Sequence, residues 1–238
     1  MGGVEVESNQ AFSSGTVNWN NGVRDIWRLD DVTLENDIVF GTGFNPEVQR
    51  SGGSTNTLNG DLSGGDASQQ FIVNVGNSST LVLGGTNTFE NELFLSQNTL
   101  QLDGSISHAN MSDDSSASTL TGDGSITWNV NGVASDLMDL DESTLDIDQL
   151  DLILEGVPLE QSYVLANYAL LDGLAFESVT NNTGFNFAID YGSGTADSIG
   201  ITFSAGNNEV PEPTSVAIWS LIGLGLSALT YFCARRRQ

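Results

Sequence analysis

The chain has 238 residues, 31 of them acidic and six basic, with a formal net charge of −25 and no lysine. A surface of that sign repels phosphate backbones and excludes nucleic acid as a partner, and a single cysteine excludes an intrachain disulfide. At 39% apolar and 16% charged, with 27 glycines, the composition can supply a core but favours short strands and tight turns over long helices.

The opening segment, MGGVEVESNQAF, has neither the basic nor the apolar region of a secretory leader. Later features point to export, so an in-frame signal sequence is expected upstream of Met1. Trp19 and Trp27 follow, and are expected to pack as an N-terminal cap or first coil.

From about residue 29 to 155 the chain repeats. Thr-Leu pairs occur at Thr33, Thr57, Thr80, Thr99, Thr119 and Thr144, at intervals of 24, 23, 19, 20 and 25 residues. Each pair opens a short alternating run that ends in a Gly, Asn or Asp turn. Alternation sends Leu100, Leu102, Leu145 and Ile147 to one side and the intervening Thr, Gln and Asp to the other. Gly84-Gly85 and Gly122-Asp123-Gly124 supply the backbone freedom for corners. One such rung buries too little to fold alone, whereas a stack builds a continuous core. The expected fold is therefore all-β, a parallel β-helix or solenoid, with a β-sandwich as the alternative that similar strand spacing allows. The string Leu83 to Phe89 (LGGTNTF), ending in Leu100-Gln101-Leu102, resembles the passenger-associated transport repeat of autotransporter-like β-helices, which implies the same architecture.

Little in this region reads as catalysis. His108 is the only histidine and stands in Ser107-His108-Ala109-Asn110, a stretch read as an exposed loop. No G-x-S-x-G elbow accompanies it, and a chain without lysine has no P-loop. The expectation is that the protein is not an enzyme. The densest set of hard oxygen ligands runs from Asp136 to Asp151, and Asp139, Asp141, Asp146 and Asp148 are its Ca2+ candidates. Their spacing fits neither an EF-hand loop nor the G-G-x-G-x-D repeat, and outward-facing strand acids explain the run equally well. No other cofactor is expected.

From about residue 156 to 204 the repeat fades. Ser162–Leu165, Tyr168–Leu171, Phe185–Tyr191 and Ile199–Phe203 read as longer antiparallel strands that cap the last open edge of the stack.

Residues 206–209 form a polar linker, followed by Val210, Pro211, Glu212, Pro213 and Thr214. Two prolines one residue apart hold the chain extended. Residues 216–234 carry no charge over 19 positions, enough for a helix of about 28 Å that spans a bilayer core. Arg235, Arg236 and Arg237 come next, and basic residues beside a span favour the cytoplasmic side. This order resembles the PEP-CTERM sorting domain of bacterial proteins processed by exosortases, over Val210 to Gln238. The resemblance implies that Val210, Pro211, Glu212 and Pro213 are the sorting motif, that 216–234 is a temporary transmembrane anchor, and that Arg235 to Arg237 are the membrane stop. It also implies an exosortase-type processing partner. The precursor would sit in the inner membrane with its body outside, and the mature form at the cell surface or in the extracellular matrix beside exopolysaccharide. The body, residues 1–205, is expected to be structural or adhesive. A carbohydrate-binding module with Trp128, Tyr163 or Tyr191 as its platform is the alternative, and a polysaccharide-active enzyme the third reading.

Overall fold

Short apolar alternations closed by glycine corners give strands too short to stand alone, and each finds its partner one coil away. In the computed structural model the described residues are 2–9, 12–20, 24–49, 53–75, 79–96, 98–114, 118–159 and 161–205, and they contain strands, turns, bends and irregular connections, with no helix among them. β1 (Gly2–Val6) and β2 (Val17–Trp19) begin the path. β3 (Arg24–Leu29), β4 (Thr33–Leu34) and β5 (Ile38–Phe40) make the first coil with one strand on each of three faces. Three similar coils follow: β6 (Asn45–Gln49), β7 (Thr55–Leu58) and β8 (Leu62–Gly64); β9 (Gln70–Asn74), β10 (Thr80–Leu83) and β11 (Thr86–Phe89); β12 (Glu92–Leu95), β13 (Thr99–Leu102) and β14 (Ser105–Ile106). The fifth holds β15 (Met111–Asp113), β16 (Thr119–Gly122) and β17 (Ser125–Gly132), with β18 (Ala134–Ser135) folded back antiparallel on β17. In the last two coils the first and second faces merge into the long strands β19 (Met138–Asp146) and β21 (Ser162–Asp172). β20 (Asp151–Pro158) and β22 (Ser178–Asn181) continue the third face, and β23 (Asn186–Asp190) and β24 (Thr195–Ser204) close the end.

Pairing between successive coils is parallel on all three faces, over about seven turns, so the fold is a parallel β-solenoid. A sandwich is built from antiparallel pairs, and that alternative falls. The Thr-Leu dipeptides mark the second face in true register: Thr33 pairs Thr57, Thr80 pairs Thr99, Thr99 pairs Thr119, and Thr119 pairs Thr144. One step departs from the sequence spacing, since Thr80 pairs Thr55 and Thr57 pairs Val82. The offset is two residues, so every leucine still points inward.

The core is a column of leucines through the second face, where Leu34, Leu58, Leu83 and Leu102 stack in register, each buried. Burying each such side chain contributes about 1.5–3 kcal/mol. Trp19 and Trp27 are buried and stack with ring centroids 4.0 Å apart, so they form the first layer of this core.

Two corners have their own ladders. Between the second and third faces the backbones nearly touch: Ser105 N–H donates to Gly85 O at 3.0 Å, Ser125 N–H to Gly104 O at 2.9 Å, and Asp151 N–H to Gly124 O at 2.9 Å. A Cβ on Gly104 would lie 2.1 Å from Gly85 O, so only glycine fits. Ahead of the second face, Ser79, Asn98, Ser118 and Ser143 are buried and each immediately precedes a Thr-Leu pair. Ser118 Oγ accepts from Asn98 N–H at 3.3 Å and Ser143 Oγ from Ser118 N–H at 3.1 Å. Each coil thus satisfies a corner amide of its neighbour that burial would otherwise leave unpaired.

The end of the stack corrects one expectation. Ser162–Asp172 is not wholly an antiparallel cap strand, because β21 pairs β19 in parallel on one edge and β24 antiparallel on the other. Parallel coiling therefore runs on to Asn181, and beyond it β23 and β24 form an antiparallel pair. Ile199, Ile201 and Phe203 of β24 are buried over the final coil. These elements form one unit, Met1–Ser204. Among the described residues no helix is long and apolar enough to cross a membrane.

Candidate functional site

Val210, Pro211, Glu212, Pro213, the 216–234 span and Arg235, Arg236 and Arg237 lie outside the described residues. The chemistry that can be built atom by atom belongs to the solenoid.

The four Ca2+ candidates fall into two groups. Asp139 projects outward from the first-face part of β19, and its carboxylate accepts a hydrogen bond from Asn167 Nδ2 at 2.9 Å. Asp141 is exposed farther along the same strand, within the register shift between Leu140 and Thr144 that divides it between two faces. Asp146 ends β19 opposite Asp172 of the next coil and accepts from Thr121 Oγ1 at 2.9 Å. Asp148, in the turn that follows, shares a hydrogen bond with Asp146, and that contact raises its pKa, with smaller contributions from desolvation and from the negative charges of Asp146 and Asp172. Asp146 and Asp148 therefore come together, while Asp139 and Asp141 stay apart from them. Among the described residues no three carboxylate, histidine or cysteine groups gather to hold a metal ion.

These carboxyls give the fold a pH dependence of defined sign. Asp113 is also held above the ordinary 3.8, chiefly by desolvation, against the opposing hydrogen bonds from Ser143 Oγ and Glu142 N–H. A raised folded-state pKa favours folding while the group keeps its proton, and the contribution is lost as pH rises through the raised value. Asp66 is held below 3.8 by Ser68, and Asp197 by Ser193 and Ser198. Those two act oppositely: they stabilise above 3.8 and fail as pH falls through their lowered values. The melting temperature is therefore expected to rise as pH falls from 7 through the raised values of Asp113 and Asp148, helped by relief of the net charge, and to drop once pH falls through the lowered values of Asp66 and Asp197. Calorimetry across this range checks it, and Asp146→Asn should raise Tm at pH 7 and flatten the upper limb. A steady fall from pH 7 downward would defeat the assignment.

His108 is not an exposed loop residue. It is half-buried, its ring meets Phe89 edge-on with centroids 5.3 Å apart, and Nδ1 accepts from Asn110 N–H at 3.3 Å. Desolvation lowers its pKa, offset in part by the Asp136 carboxylate. The loop folds onto the corner because Asp136 Oδ2 accepts from Ala109 N–H at 3.1 Å, from Asn129 N–H at 3.0 Å and from Asn129 Nδ2 at 2.9 Å. Asp136, read from sequence as one member of an acidic run, ties the β17–β18 hairpin to the coil beneath it.

The aromatic residues expected as a sugar platform are mostly inside. Trp128 is fully buried and its Nε1–H donates to Asp136 O at 2.7 Å. Tyr163 is buried, with its hydroxyl donating to Gly132 O and accepting from Leu159 N–H. Tyr191 is half-buried and packs against the core. A cleft of about 440 Å³ between the third and first faces is lined by Glu90, Glu92, Ser112 and Asp139. Glu92 already holds the Ser112 hydroxyl there.

The outward side of the second face holds a feature that no sequence motif marks as a site. Thr55, Thr80, Thr99, Thr119 and Thr144 stand in one continuous column, one per coil. The signal was present in the Thr-Leu pairs, whose threonines alternation turns outward, but their alignment from coil to coil was not legible as a surface. No family model, curated protein or solved structure matches the chain.

Proposed function

We propose that the protein is an exported surface or extracellular-matrix protein, sorted and cleaved through its C-terminal tail, whose acidic solenoid serves as a structural or adhesive spacer. The observation that carries this reading is the order of the tail in the sequence: Val210-Pro211-Glu212-Pro213, uncharged 216–234, then Arg235 to Arg237. Arg235 to Arg237 directly follow the span, whereas the nearest arginine ahead of it is Arg50, and this basic bias supports a body on the side opposite the arginines. Burial of Trp128 and Tyr163 favours a structural body over a sugar platform.

The test follows one epitope in the body and a second after Gln238, with a secretory leader fused ahead of Met1, in a bacterial host with and without an exosortase-type enzyme. The expected result is a body epitope at the surface, with the terminal epitope lost, only when the enzyme is present. Replacing Pro211, Glu212 and Pro213 together by alanine should leave full-length, membrane-held protein. Equal processing of that variant, or release without the enzyme, would make the tail an ordinary anchor or linker.

A further inference from the structure

We propose that the outward threonine grid of the second face is an ice-binding surface, whose ligand is crystalline water. The first column, Thr55, Thr80, Thr99, Thr119 and Thr144, climbs five coils without a break in register. Two residues along each strand stands a second column of Thr33, Thr57, Val82, Gln101 and Thr121. Neighbouring rungs are about 4.8 Å apart and alternate residues on one strand about 6.6 Å apart, so the two columns make a two-dimensional grid, with hydroxyls at every position of the first column and at Thr33, Thr57 and Thr121 of the second.

Ice has a lattice of nearly this size. Water oxygens hydrogen-bond at about 2.75 Å, and tetrahedral angles then repeat second neighbours at about 4.5 Å and the layer stack at about 7.3 Å. The mismatch is about 0.3 Å per rung, a little over about 1 Å across five coils, and about 0.7 Å along each strand, where only two columns must fit; side-chain adjustment takes up both. Threonine suits the task because its branched Cβ restricts χ1, which holds hydroxyl and methyl at fixed points. Among the described residues the hydroxyls of Thr55, Thr80, Thr99, Thr119 and Thr144 have no side-chain hydrogen bond within the protein, which leaves the first column free for water; in the second column Thr121 Oγ1 donates to Asp146 and Gln101 Nε2 to Asp103.

Two further observations separate this grid from ordinary strand composition. On the four coils from β7 to β16 all eight outward positions of the second face are uncharged, in a chain with 31 acids. Strand propensity alone would put threonine on both exposed faces, yet the corresponding third-face column reads Thr86, Ser105, Ser125, Asp151 and Ser178. The grid also carries no aromatic ring to stack on a sugar and no cation to meet an anion. Its lattice matches a periodic solid better than a soluble ligand. This inference stands independently of the tail.

The full chain, with a matched buffer and detergent blank, is tested by watching single ice crystals under slow cooling. The expected result is faceted crystals whose growth stops over an interval below the melting point. Thr99→Lys, which puts a long charged chain in the centre of the grid, should abolish that interval, whereas Ser105→Lys on the neighbouring face should leave it. Gln101→Thr should widen it, and this variant remains decisive should Thr99→Lys fail to fold. Round crystals that grow at the melting point would overturn the proposal. So would equal loss from Thr99→Lys and Ser105→Lys, no gain from Gln101→Thr, or binding to insoluble polysaccharide without effect on ice.

Discussion

Replacing Gly104 by valine is expected to lower stability by at least about 4 kcal/mol, a loss that few single substitutions reach. Even the first added carbon would lie 2.1 Å from Gly85 O and 2.5 Å from two further backbone atoms of Gly84. Nothing there can rotate away, because the atoms met are main chain. The coil below is also held, since Gly104 N–H donates to Leu83 O at 3.0 Å and Ser105 N–H to Gly85 O at 3.0 Å. Relief requires the two coils to separate, which breaks those bonds and opens the leucine column behind them. Gly184→Ala is the control: its φ is +77° but nothing lies within 4 Å of the added carbon, so only the left-handed backbone penalty of about 1–2 kcal/mol applies. Urea denaturation followed by circular dichroism separates the two. Equal midpoints for both variants would show that the glycine corner does not carry the stack.

Trp128→Ala is expected to cost about 3–5 kcal/mol, the range for emptying a large buried aromatic site. The loss should also be felt at a distance in the chain. The indole stacks on Phe203 of β24 with centroids 6.3 Å apart and meets Tyr163 edge-on at 5.8 Å. Its Nε1–H also holds Asp136 O, the same residue that anchors the His108 loop. Removing the ring therefore loosens cap, last coil and hairpin together. Hydrogen exchange should show amides of β24 losing protection well before those of β10 and β13, while Trp128→Phe keeps most of it. Uniform loss across all coils would show that the cap does not rest on this side chain.

The architecture was legible because a solenoid writes its geometry into sequence spacing. The pairs at Thr80, Thr99, Thr119 and Thr144 stand in register one coil apart, as their intervals implied. The step from Thr57 to Thr80 misled by two residues, since the structural partner of Thr57 is Val82. Parity survived, and with it the inward direction of the leucines. Contacts that join distant segments through one side chain were harder to read. Trp128, Tyr163 and His108 look like surface groups in a polar sequence, and only the hairpin bound by Asp136 and the cap strand β24 bury or half-bury them. Asp146 and Asp148 were picked out as neighbours in sequence, but their link to Asp172 depends on the next coil. The Ser-Asn corner was visible as the residue before the last four Thr-Leu pairs, yet its meaning depends on knowing that the chain turns there.

Because each coil bonds only to the coil above and below, the height of the body is counted in whole turns. About seven turns at about 4.8 Å each give roughly 34 Å. Gly85 and Gly104 are the stops of this ruler: each corner carbonyl receives the next coil's amide, so no fractional step is allowed. Duplicating the residues from Thr80 to Asn98, one coil with its own glycine and its own buried corner side chain, would lengthen the molecule by one increment and leave both ends unchanged. Reach can thus be altered by copying a segment, without redesigning an interface.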